Sequence, residues 1–71
     1  MTLLELAKIY TELVELDDAI STSDSEAKNR AGQLRSQYHD LLLARMKEEG
    51  IDFEDRFDAA QKAFDLVRKA I

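Results

Sequence analysis

Residues 53–71 read FEDRFDAAQKAFDLVRKAI, in which Phe53, Phe57, Ala60, Phe64, Val67 and Ile71 recur at spacings of four, three, four, three and four. Such spacing gathers side chains on one stripe of an α-helix, where they are buried against other helices. The opening segment carries a matching ladder, Leu6, Ile9, Leu13, Leu16 and Ile20. Beside it runs a second stripe, Leu3, Ala7, Tyr10 and Val14. Two adjoining stripes imply two helical neighbours for the first helix. Both ladders predict an all-α fold held together by helix packing.

Local signals divide the chain into three helices near 2–20, 24–49 and 53–71, in one domain covering 1–71. Thr2 and Glu5 form a capping box, in which each side chain satisfies an orphan N–H of the first turn. The polar run Ser21-Thr22-Ser23-Asp24-Ser25 is a turn, with Ser23 and Glu26 a second capping box and Ser25 a competing cap. The second helix buries Ala27, Ala31, Leu34, Tyr38, Leu41 or Leu42, and Met46. Gly32 interrupts it at up to about 1 kcal/mol relative to alanine, either for a close backbone approach or because the first turns fray. Gly50 is a good residue to end that helix with positive φ, letting Ile51 touch Met46 in a Schellman motif. Asp52 then caps the third helix.

Two short joints and no proline predict consecutive helices that run antiparallel. Charge placement agrees with this topology. The first helix ends on Glu15, Asp17 and Asp18, the unfavourable sign for a C-terminus. An antiparallel second helix brings Lys28 and Arg30 beside them. At the other joint, Arg45 and Lys47 are expected to meet the acidic first turn of the third helix.

At 71 residues the chain hides only about 60–65% of the surface its unfolded form exposes, so a lone core is marginal. Chains of this size rely on disulfides, metals or partner subunits. Cysteine is absent and there is one histidine, which leaves oligomerisation as the stabilising device. We therefore expect a homodimer whose core and interface use Leu6, Leu13, Leu16, Phe53, Phe57, Phe64, Val67 and Ile71. In a second possible architecture the third helix swings out to pair with its copy.

The net charge of −5 opposes phosphate backbones and anionic lipid surfaces. No apolar run approaches the roughly 20 residues that span a bilayer. The N-terminal residues lack a signal-peptide pattern, so a cytoplasmic location is expected.

Chemistry-bearing constellations are not found. Ser36, not a glutamate, lies three residues before His39, unlike the di-iron bundle pattern. The acids from Asp52 lack the alternating oxygens and central glycine of a calcium loop. Neither a cofactor nor an enzymatic activity is predicted. Lys28, Arg35 and His39 form a mildly basic strip, read as the outer face of the second helix. DNA reading through it is disfavoured by the acidic start Asp52-Phe53-Glu54-Asp55 of the following helix. Leu43 is the odd apolar residue on the polar side of the second helix and could mark a contact surface.

The opening Thr2-Leu3-Leu4-Glu5-Leu6-Ala7, with Tyr10, Glu12, Leu13, Glu15 and Leu16 behind it, resembles the starts of small helical accessory proteins of phages and prophages. The resemblance covers about the first sixteen residues, all generic helix formers, and carries over no functional residue. It implies a short, acidic, cytosolic protein acting by binding other proteins. The leading expectation is a non-enzymatic adaptor or regulator whose dimer offers Glu12, Glu15, Asp17, Asp18 and Leu43 to an unidentified protein. The alternatives are an acidic inhibitor imitating nucleic-acid charge and a small DNA-associated regulator.

Overall fold

In a computed structural model, which describes residues 1–70, the chain forms three helices, α1 (Leu3–Ala19), α2 (Ser25–Glu48) and α3 (Arg56–Lys69). No strand occurs among the described residues. Ile71, expected in the core, lies outside them.

Each helix end has an identifiable cause. The Thr2 hydroxyl accepts from the Glu5 N–H at 3.1 Å, and the Thr2 N–H donates to Glu5 Oε1 at 2.9 Å. The expected capping box is present. The same pairing holds the Glu5 carboxyl below its usual range.

At α2 the cap is Asp24, whose Oδ1 accepts from the Ala27 N–H at 3.3 Å. Ser23, expected in that role, instead shares a 2.8 Å hydroxyl contact with Ser21. The adjacent carboxylate is also the stronger acceptor at a positive helix end. The C-terminus of α2 closes as the sequence indicates. Gly50 takes φ +71, its N–H reaches the Lys47 carbonyl at 3.2 Å, and the Ile51 N–H reaches the Met46 carbonyl at 2.9 Å. These are the two bonds of a Schellman motif.

α3 starts three residues later than the phenylalanine ladder suggests, at Arg56. Its cap is Asp55, not Asp52. Asp55 Oδ1 accepts from the Asp58 N–H at 2.8 Å, while Asp58 Oδ2 accepts from the Glu54 N–H at 2.9 Å. This carboxylate exchange satisfies the Glu54 N–H before the helix and the Asp58 N–H of its first turn, and Phe53 stays in the joint. The first turn of α3 also lies elsewhere than expected. Arg56 bonds Asp40 at 3.0 Å, near the middle of α2, whereas Arg45 turns to its own neighbour Glu48 at 3.8 Å.

α1 is the central helix. It packs on both α2 and α3, which touch each other only lightly. The two-stripe reading of α1 is thus met, but the stripes exchange rank. Leu3, Ala7 and Tyr10 are buried along with Leu6, while Leu13 is half-buried and Leu16 is 51% exposed.

A similar rotation occurs in α3. Its buried residues are Ala59 and Ala63; Phe64 and Val67 lie half-buried beside them, and Phe57 is 72% exposed. Ala59 and Ala63 share one enclosed cluster with Ala7 of α1. Leu3, Leu6 and Tyr10 of α1 and Leu42 and Met46 of α2 supply the volume. Phe53 packs against this cluster from the joint.

Gly32 has open space where a Cβ would stand, so no backbone approach requires it. Gly32→Ala should raise stability by about 0.5–1 kcal/mol, read from the thermal midpoint. Gly50→Ala should lower it by about 1 kcal/mol, because alanine is strained at positive φ. Leu42→Ala, at a fully buried site, should cost about 2–5 kcal/mol and bring so small a chain close to unfolding.

Candidate interaction surface

Several ion pairs tie the helices to one another. Asp17, near the end of α1, receives Arg35 at 2.9 Å and Lys28 at 3.4 Å. The Lys28 ammonium also bonds the Asp17 carbonyl, covering an orphan acceptor of the last turn. The bond from Arg35, aided by Lys28, holds the Asp17 carboxyl below its usual range. Lys28 was expected here. Arg30 was too, but it pairs along its own helix with Glu26 at 3.6 Å. Its place is taken by Arg35, seven residues on from Lys28 and therefore on the same face of α2.

His39, next on that face, packs against Tyr10 with ring centroids 4.9 Å apart, and one ring nitrogen bonds the Arg56 carbonyl at 3.1 Å. All three helices meet at this point. Lys28, Arg35 and His39 thus form a seam within the fold, not the outward basic strip that the sequence suggested. Burial lowers the His39 pKa from its ordinary value.

Leu43, one turn after His39, is half-buried and packs against the core cluster. Its placement on a polar side is corrected, because helical spacing alone does not show how far round α2 the core extends. Of the four acids proposed as a partner surface, Glu12, Glu15 and Asp18 are exposed. Asp17 is occupied by its two cations, which weakens the imitation of phosphate charge by these four carboxylates.

Among the described residues, no three His, Cys, Asp or Glu side chains converge to hold a metal ion. Among the same residues, no helix is long and apolar enough to cross a membrane. One hollow of about 380 Å³ is lined by Met46, Ile51 and Leu66 together with the charged Asp58, Lys62 and Lys69. Asp58 and Lys62 bond each other across it at 2.9 Å, which holds the Asp58 carboxyl low and raises Lys62. The pair neutralises the local charge.

Exposed apolar side chains are the more informative feature. Met1, Leu16, Leu34, Leu41 and Phe57 are 40–72% exposed. Leu16 and Phe57 belong to the expected interface; Leu34 and Leu41 were assigned to the inward stripe of α2. The adjacent leucines Leu41 and Leu42 gave no means of choosing, and it is Leu42 that is fully enclosed. Compared with known protein families, curated proteins and solved structures, the chain matches none.

The His39 contact has a consequence for pH. The folded form favours the neutral ring, so its contribution is complete above the unfolded value of about 6.5 and is lost as pH falls through the lower folded value. Thermal midpoints should therefore fall on acidification below about pH 6.5, and His39→Gln should remove that component while leaving the carboxylate transition at lower pH.

Proposed function

We propose that this chain is a non-enzymatic protein–protein interaction module, a small cytosolic adaptor or regulator that works as a homodimer. The observation carrying this reading is the excess of exposed apolar side chains, Phe57 at 72% and Leu16 and Leu41 at about half. The accessible surface of 4912 Å² also exceeds the about 4,500 Å² expected of a compact 8.1 kDa monomer. Large apolar side chains left in water on so small a core favour association.

An antiparallel arrangement of α1 and α2 is supported by their contacts. Asp17 meets Lys28, Tyr10 meets His39, and Leu6 borders the same hollow as Leu41 and Arg45. Residue numbers rise along one helix as they fall along the other. The exposed acids Glu12, Glu15 and Asp18 suit a basic partner. A DNA-associated role has less support, because Lys28, Arg35 and His39 are engaged inside the fold.

Light scattering on the purified chain should give twice the 8.1 kDa chain mass. Affinity capture from the native host, followed by mass spectrometry, should recover a basic protein with the native chain. Neutralising Glu12, Glu15 and Asp18 together should lose it without altering the helical circular dichroism. Equal recovery by both forms would remove the acidic surface from the proposal.

A further inference from the structure

We draw no further inference here: the strongest candidate, the apolar patch of Leu16, Leu34 and Leu41 left about half in water on the α1–α2 pair, carries none because nothing in the structure shows what covers it.

Discussion

The structure depends on the burial of α1 between two helices. α1 is short, with 17 residues, yet apolar positions occupy most of its circumference. α2 covers one side and α3 another. Ala7 of α1 and Ala59 and Ala63 of α3 are all fully enclosed within one core cluster. Leu42 and Met46 fill the space from α2. What remains of the α1 stripe has no third helix to meet, and Leu16 is left half in water.

Electrostatics reinforces this arrangement at the two places where α1 needs help. Its acidic C-terminus would oppose the helix dipole, and Lys28 and Arg35 offset that charge at Asp17. Further along the same face of α2, His39 lies against Tyr10 and fixes the start of α3 through the Arg56 carbonyl. A single row of basic residues therefore sets the register of α2 on α1 and the position of α3 on both. Using these groups inside the fold leaves the exposed surface predominantly acidic and apolar. That pairing of properties is what the proposed interaction role uses.

The resulting division of surfaces follows from small size. Three helices offer more apolar stripe than three helices can enclose. On the α1–α2 pair, Leu16, Leu34 and Leu41 stay about half in water. The exposed acids Glu12, Glu15 and Asp18 form a separate feature.

The sequence by itself determined the three helices, the capping box at Thr2 and Glu5, the Gly50 turn with Ile51, and the double burial of α1. Each depends on neighbours within about four residues or on helical period, which a linear chain displays. Only the tertiary structure decided which stripe faces inward. Ala59 and Ala63, not the phenylalanine ladder, are the enclosed residues of α3, because the covered face depends on where the other helices lie. The start of α3 at Asp55, the enclosure of Leu42 in place of Leu41, and the inward turn of Arg35 and His39 have the same origin. Each is settled by groups far away in the chain, whose distances no local spacing records.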